Sequence, residues 1–372
     1  MEKAMRFTCL QEDLLNGISK AEKAVSSKST LPVMEGLLVE ASGDQITLTG
    51  NDLELSIEAT FPATIEKEGK IVLNCRMFAD IIRKTGSSEI HFEVGEKNIT
   101  TIISGPSVFE IAGIEANEFP ETPDFDIDQK ITIESETLKS MIRQTIFATS
   151  KGEHRQILTG ELFKVQNNTL SLVALDGYRL AIRKEPLLES ADIKDFVVPA
   201  KTLSELLKIL DDEGNVDIYP SERFIMFQFE DCKMVSRVIE GEFTNYDKII
   251  SVESPIKCKG DVKKLLDTFE RVSPIIVNET VKSPVKINIF EDNIIIDCVT
   301  LAGRVHDETS IEKLYGDNLE IGFNNKYLLD AFGACNANEV FIEFSTSLSP
   351  AVISPVEGDK FLYIILPVRL KK

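Results

Sequence analysis

The sequence predicts an α+β protein of three similar domains, each with two helices and antiparallel sheets. Three observations predict it. The chain has 372 residues, more than a single domain of ordinary size holds. A short strand running into an amphipathic helix recurs from Phe7, Ile131 and Ile256, at offsets of 124 and 125 residues. Between these points apolar residues alternate with a period of two, the pattern of strands with one buried face.

In chain order, each copy repeats the same elements. The opening strand and helix read "FTCLQEDLLNGISKAEKAV", "ITIESETLKSMIRQTIFAT" and "IKCKGDVKKLLDTFERVS". Leu14, Ile18, Ala21 and Val25 fall on one helix face, as do Leu138, Met141, Ile142 and Thr145. A two-stranded stretch with a turn comes next: "ITLTGNDLELSIEAT", "LSLVALDGYRLAIRK" and "IIIDCVTLAGRVHDE". The second strand-to-helix element is "IVLNCRMFADIIRK", "VVPAKTLSELLKIL" or "EIGFNNKYLLDAFG". In the middle version Leu203, Leu206, Leu207 and Leu210 make the apolar stripe, Pro199 precedes the helix, and Thr202 with Glu205 has capping-box spacing. Runs rich in Val, Ile and Phe close each copy, such as "DIYPSERFIMFQFED" and "EVFIEFSTSLSPAVISP". Polar stretches with Pro, Asp and Asn suit linkers and set the domains at 1–126, 127–252 and 253–372.

The 41 basic and 61 acidic residues give a net charge of −20, the wrong sign for a nucleic-acid binder taken whole. The charge is segregated, however. Six predicted helices, 11–25, 76–84, 137–149, 201–210, 261–273 and 326–334, carry a net +4, and the remainder carries −24. Solvated lysines on one helix are ordinary. On six repeated helices facing one surface, Lys20, Lys23, Lys28, Arg83, Lys139, Arg143, Lys151, Lys201, Lys208, Lys263 and Lys264 make a lining that attracts phosphates without reading bases.

Other classes are excluded. No apolar run approaches the roughly 18 residues of a membrane span, and the N-terminal "MEKAMRFTCL" has no export signal, so a cytoplasmic protein is expected. The six cysteines are scattered singly without metal-ligand spacing, which predicts reduced structural residues and no metal site. There is no phosphate loop, zinc-protease helix, nucleophile elbow or dinucleotide fingerprint. Carboxylate pairs such as Asp211 with Asp212 are inevitable among 61 acids, so no catalytic residue and no cofactor is expected.

The strings "TLPVMEGLLVEA", "ALDGYRL" at 174–180, "SRVIEGEFTNY" at 236–246 and the terminal "YIILPVRL" resemble the bacterial DNA polymerase III beta subunit family, the replication sliding clamps, in register over the whole chain. The resemblance implies three clamp domains per chain and two chains head to tail in a ring around double-stranded DNA, held without sequence specificity. It implies a non-catalytic processivity factor that tethers the DNA polymerase III catalytic subunit, needs a clamp loader complex, and recruits other replication and repair proteins carrying a clamp motif. The peptide pocket it implies comprises Leu158, Leu175, Gly177, Tyr178, Arg179, Leu180, Thr244, Lys248, Ile249, Asn324, Tyr327, Leu348, Pro350, Ile364, Leu366, Pro367, Val368, Arg369 and Leu370. An apolar cleft with a few directional polar groups suits an extended segment held by one or two anchors. Lys28, Lys151, Gly152 and Arg155 match DNA-facing loops. Phe109 and Ile111 are expected to meet Ile275 and Ile276 across the subunit seam, as apolar residues exposed until a partner covers them.

Some positions depart from the family pattern. Thr244 stands where proline is usual, Leu175 replaces a small polar residue, and two lysines extend the chain beyond Leu370. The competing reading is a repeat-built scaffold that never touches DNA, favoured by a pI near 4.7. Retention on circular but not linear DNA separates the two.

Overall fold

The computed structural model describes residues 5–26, 28–123, 125, 129–187, 189, 193–250, 254–276 and 283–370. The first repeat runs β1 (Arg6–Leu10), α1 (Gln11–Ala21), β2 (Gly36–Ser42), β3 (Gln45–Asn51), β4 (Leu55–Pro62), β5 (Thr64–Lys67), β6 (Gly69–Asn74), α2 (Cys75–Lys84), β7 (Glu89–Val94), β8 (Ile99–Ser104) and β9 (Ser107–Ala112). The second runs β10 (Ile131–Glu134), α3 (Ser135–Arg143), β11 (Gly160–Gln166), β12 (Thr169–Leu175), β13 (Arg179–Pro186), β14 (Phe196–Pro199), α4 (Ala200–Ile209), β15 (Asn215–Pro220), β16 (Phe224–Phe229), β17 (Cys232–Arg237) and a short α5 (Asp247–Ile250). The third runs β18 (Ile256–Asp261), α6 (Val262–Ile276), β19 (Val285–Phe290), β20 (Asn293–Thr300), β21 (Gly303–Ser310), β22 (Glu312–Tyr315), β23 (Leu319–Phe323), α7 (Asn325–Ala334), β24 (Glu339–Phe344), β25 (Ala351–Pro355) and β26 (Phe361–Ile365).

All six helices expected from the apolar stripes form. Local chemistry fixes their ends. Asn74 caps α2 by accepting a hydrogen bond from Met77 N at 3.0 Å, and Asn324 caps α7 by accepting from Lys326 N at 3.0 Å. Acidic Glu12 and Asp13 open α1 and Lys20 closes it, matching the helix dipole. The expected capping box on α4 is not the cap. The helix starts at Ala200, directly after Pro199, so Thr202 already lies inside its first turn and is buried. α6 runs three residues further than the stripe suggested and carries Pro274 in its last turn. The expected domain breaks, after Asp126 and after Val252, lie outside the described residues.

Contacts divide the chain into two compact units that do not coincide with the repeats: Met1–Glu136 with Ser204–Val238, and Thr137–Leu203 with Ile239–Lys372. The first unit holds a five-stranded sheet, β5-β1-β7-β8-β9, and an eight-stranded one, β10-β15-β16-β17-β4-β3-β2-β6. The second holds a nine-stranded sheet, β14-β11-β12-β13-β26-β25-β24-β18-β22, and a four-stranded one, β21-β20-β19-β23. Two long sheets therefore cross the repeat borders. The middle repeat joins the first through β17 on β4, pairing Cys232 with Ala59, and the third through β13 on β26, pairing Arg179 with Ile365.

Each unit has its own core. In the first, Phe7 stacks on Phe92 at 4.6 Å and α1 lays Leu14, Ile18 and Ala21 against the sheet. Helix and sheet approach closely where α1 ends: a Cβ on Gly50 would lie 2.1 Å from the Ala21 carbonyl oxygen. In the second, Phe269 of α6 stacks on Phe332 of α7 at 5.6 Å. Burial of this apolar surface is the main force holding each unit.

Candidate functional site

The turn between β12 and β13 organises a cleft inside the second unit. Asp176 Oδ1 accepts hydrogen bonds from the backbone N–H groups of Tyr178 at 2.9 Å and Arg179 at 3.1 Å, and Gly177, between Asp176 and Tyr178, takes φ +89°. Arg179 then turns inward and is only 7% exposed. A guanidinium so buried must be paired. Its Nε donates to Asp176 Oδ2 at 3.1 Å, its Nη1 to Asp330 Oδ2 at 2.5 Å, and its Nη2 to the Phe147 carbonyl. Its face lies 4.4 Å from the Tyr327 ring centre and 5.3 Å from that of Phe147. Tyr178, 62% exposed, stacks on the outer side of Tyr327 at 6.3 Å.

The end of the chain completes the cleft. Leu180 pairs with Ile364 and Ala351 with Ile365, so Pro350 and Leu366 leave the sheet side by side. Leu366 N donates to Tyr178 O and Val368 N to Gly322 O, each at 2.8 Å. Gly322 admits this tail because it lacks a side chain: a Cβ there would stand 2.7 Å from both Val368 O and Leu370 Cδ2. The floor is apolar. Leu158, Leu175, Leu180, Ile364 and Val352 share one buried cluster, with Ile249, Phe243 and Tyr246 packed on its margin. Leu348, Leu366 and Val368 stay exposed as an apolar rim, while Lys248 and Arg369 offer exposed charge and Thr244 and Pro367 are half-buried.

The structure thus brings the pocket residues expected from the family resemblance into one unit. Sequence reading missed Asp176, Asp330, Phe147 and Gly322. Asp330 follows Tyr327 by one helical turn, which was the available signal. Two other hollows, about 1240 Å³ beside Glu40, Glu58, Glu115 and Phe119 and about 450 Å³ beside Gln144, Arg183 and Phe361, have linings that mix charged and amide groups with apolar side chains.

The basic candidates divide between the units. Lys20, Lys23, Lys28, Arg83 and Lys208 belong to the first; Lys139, Arg143, Lys151, Gly152, Arg155, Lys201, Lys263 and Lys264 belong to the second. Lys28, Arg143, Lys151, Gly152, Arg155, Lys201, Lys263 and Lys264 are exposed. Lys20 faces Glu230 at 3.8 Å, Arg83 faces Glu22 at 3.2 Å, Lys23 faces Glu22 at 3.5 Å and Lys208 faces Glu205 at 2.8 Å, surface pairs that hold their partners weakly. Lys139 is a correction. It is 6% exposed, because the open stripe of α3 runs through Glu136, Ser140 and Arg143, so it is not a surface group.

The seam candidates are less exposed within one chain than expected. Phe109 and Ile111 lie on β9, the free edge of the five-stranded sheet, but Ile275 and Ile276 lie in the last turn of α6. Ile111 and Ile276 are buried in the cores of their own units, and Phe109 and Ile275 are half-buried. They are not exposed apolar pairs, because alternate residues of β9 point inward and Ile276 continues the α6 stripe of Leu265, Phe269 and Val272. The exposed apolar side chains nearby are Val108 on β9 and Val299 and Leu301 at the β20–β21 turn.

One buried acid stands apart. Glu161 of β11 is fully buried, and burial pushes its carboxyl up to about 8. Its Oε2 lies 2.8 Å from Thr145 Oγ1, and its Oε1 has no hydrogen-bond partner among the described residues. The cysteines are free thiols; burial pushes Cys75 and Cys258 up to about 11 and Cys9, Cys232 and Cys335 up to about 12, which keeps them unreactive. No helix among the described residues is long and apolar enough to cross a membrane.

Comparison with known proteins covers nearly the whole chain. Residues 5–123, 132–245 and 247–369 match, in order, the N-terminal, central and C-terminal domains of the DNA polymerase III beta subunit. A beta sliding clamp of Halalkalibacterium halodurans is 32% identical over 98% of this chain and 100% of its own. The crystal structure of the DNA polymerase sliding clamp from Bacillus subtilis superposes with a TM-score of 0.95 at 32% identity, covering 99% of this chain and 100% of that one. A sliding clamp of Pseudomonas aeruginosa, solved bound to griselimycin, superposes at 0.92 with 28% identity, over 99% and 100%.

Proposed function

The chain belongs to the DNA polymerase III beta subunit family and is a non-catalytic sliding clamp, and from that premise we propose how its surfaces share the work. Two copies close head to tail into a ring around duplex DNA in the cytoplasm. The ring tethers the DNA polymerase III catalytic subunit and makes it processive. Because linkage holds the ring on DNA, its phosphate contacts can be weak and sequence-blind, and sliding follows. The exposed basic residues Lys28, Arg143, Lys151, Arg155, Lys201, Lys263 and Lys264 carry those contacts. The clamp domains are 1–126, 127–252 and 253–372. A closed ring cannot thread circular DNA unaided, so a clamp loader complex opens it.

One observation carries the ring. Counting only the strands of one repeat, one paired run stops at the strand after the first hairpin, β4, β13 or β21, and the other stops at the last sheet strand, β9, β17 or β26. Within the chain β4 takes β17 and β13 takes β26, and among the described residues β21 and β9 keep a free edge. A second copy supplies both missing neighbours at once. Bare edges are otherwise templates for aggregation.

The cleft around Tyr178, Tyr327, Leu175 and the tail from Leu366 to Leu370 is the site where the polymerase and other clamp-motif proteins insert an extended segment. Its apolar floor and few directional groups support this reading. The test is loading onto nicked circular plasmid followed by gel filtration. The protein should co-elute with circular DNA and leave after a single cut; failure to co-elute, or persistence on the linear form, refutes the reading.

A further inference from the structure

We propose that Glu161 and Thr145 form a buried proton latch under the peptide cleft: while the acid keeps its proton the cleft wall is held in place, and when the acid ionises the wall loosens and the bound segment is released. The inference rests on the reading of that cleft as a peptide site and adds its regulation.

The other two repeats build the same fold without this pair. Glu161 of β11 lies opposite Val198, two places before α4 begins. Leu37 lies opposite Leu73, two places before α2, and Val285 opposite Phe323, two places before α7, so these three positions are equivalent. Thr145 stands ten places beyond the first residue of α3, as Ala21 does in α1 and Val272 in α6. All six side chains are fully buried. Two repeats thus hold an aliphatic pair here, and the middle repeat alone holds an acid and a hydroxyl. Burying polar groups costs stability where aliphatic ones serve, which points to a role other than packing.

The middle repeat is also the one that supports the cleft. Thr145 O accepts from Ala148 N at 2.9 Å, closing the 3-10 turn Ile146–Ala148. On that turn Phe147 offers its carbonyl to Arg179 Nη2 and its ring to the guanidinium at 5.3 Å. The same guanidinium lies 4.4 Å from the Tyr327 ring centre, and Tyr327 stacks with Tyr178 at 6.3 Å. A continuous chain of contacts therefore leads from the buried acid to the exposed wall of the cleft.

Burial opposes the charge on Glu161 and pushes its carboxyl up to about 8, and among the described residues only the Thr145 hydroxyl counters it. Charged groups on the neighbouring elements stand away. Lys139, on the covered side of α3, comes six residues before Thr145, more than a turn and a half along the chain. Arg179 and Arg183 are on β13, two strands and so about 9–10 Å from β11, and each has its own carboxylates: Asp176 and Asp330 for the first, Glu185 for the second. Protonated, Glu161 gives its hydrogen to Thr145 Oγ1, which gives its own to Met141 O. Ionised, the carboxylate has lost that hydrogen to solvent and only accepts, with Oε1 already without a partner among the described residues. It then draws the Thr145 hydrogen away from Met141 or draws water inward, and either move shifts the turn that seats Arg179.

Linkage makes the effect reciprocal. A segment bound about tenfold more tightly by the protonated latch pushes the carboxyl from about 8 to about 9. Affinity for an acetylated clamp-motif peptide without His or Cys should then fall about fivefold between pH 6.5 and 9, read by fluorescence anisotropy. Binding at pH 8.5 should take up about half a proton per peptide, read by calorimetry in two buffers of different ionisation enthalpy. Glu161→Gln, whose amide donates to Thr145 and cannot ionise, should hold its affinity within about twofold and lose the uptake. Thr145→Val with Glu161→Leu copies Val272 and Leu37, should behave in the same way, and decides the matter if the amide variant does not fold. Wild type that binds no peptide at any pH overturns the cleft reading itself. Wild type that binds with the pH profile and proton uptake of the variants overturns the latch and leaves the cleft standing.

Discussion

Glu161 should make the second unit less stable as pH rises through neutrality. Thr145 Oγ1 lies 2.9 Å from Met141 O and 2.8 Å from Glu161 Oε2, and it has one hydrogen to give. A carbonyl only accepts. If Thr145 donates to Met141, the hydrogen between Thr145 and Glu161 must come from the acid, which matches a carboxyl raised from 4.5 to about 8 by burial. Between those two values the folded chain holds a proton that the unfolded chain has released. The contribution of Glu161 to stability is then greatest below pH 4.5, falls as pH rises, and levels off above about 8. The slope is about 1.4 kcal/mol per pH unit in mid-range, or about 2 kcal/mol between pH 6 and 7.5. For a unit of this size that is roughly 4–8 °C in the melting midpoint. Glu161→Gln keeps the shape and cannot ionise, so its melting curves should lose this slope while wild type keeps it. Calorimetry at several pH values from 5.5 to 8 reads the difference. An identical slope in wild type and variant would show that Glu161 is ionised when folded, or that the linkage lies elsewhere.

Gly322→Ala should push the tail out of place and weaken a polymerase-derived peptide about tenfold, with the dimer unchanged; fluorescence anisotropy measures it, and unaltered affinity rejects the tail's part in the cleft. Asp330→Asn leaves the buried Arg179 with one carboxylate partner fewer and should cost about 2 kcal/mol in urea unfolding while loosening the Tyr178–Tyr327 wall, so peptide affinity should fall too. Gly50→Ala, whose Cβ meets backbone, should cost about 3 kcal/mol, whereas Gly43→Ala, with open space but φ +63°, should cost about 1 kcal/mol; equal denaturant midpoints would contradict the close approach. Deleting "LPVRLKK" from Leu366 onward should abolish peptide binding and leave the dimer intact by sedimentation.

Much of the fold was legible because it is written locally. Stripes such as Leu14, Ile18 and Ala21 need only a helical period, and paired strands such as β12 and β13 need only alternation and a turn. What joins Cys232 to Ala59, or Arg179 to Ile365, has no local period, so the continuity of the sheets across repeats was invisible. The cleft was legible only through family resemblance, since its floor draws on segments as distant as Leu158 and Ile364. Asp330 looked like any solvated helix acid until the fold brought it to Arg179. Lys139 failed for the opposite reason, a charged residue on the covered side of α3. Ile111 and Ile276 read as exposed apolar residues, but apolarity alone does not tell a side chain covered within its own unit from one left open.

The sheets that cross the repeat borders bear on dissection of the molecule. A fragment cut at either border would lose the strand that completes a neighbouring ladder, β17 from β4 or β26 from β13, and would present a freshly severed backbone to its fellows. Single thirds of the chain should therefore clump when expressed alone, and the smallest soluble pieces should instead follow the two contact-defined halves, each stitched from non-contiguous stretches of the gene.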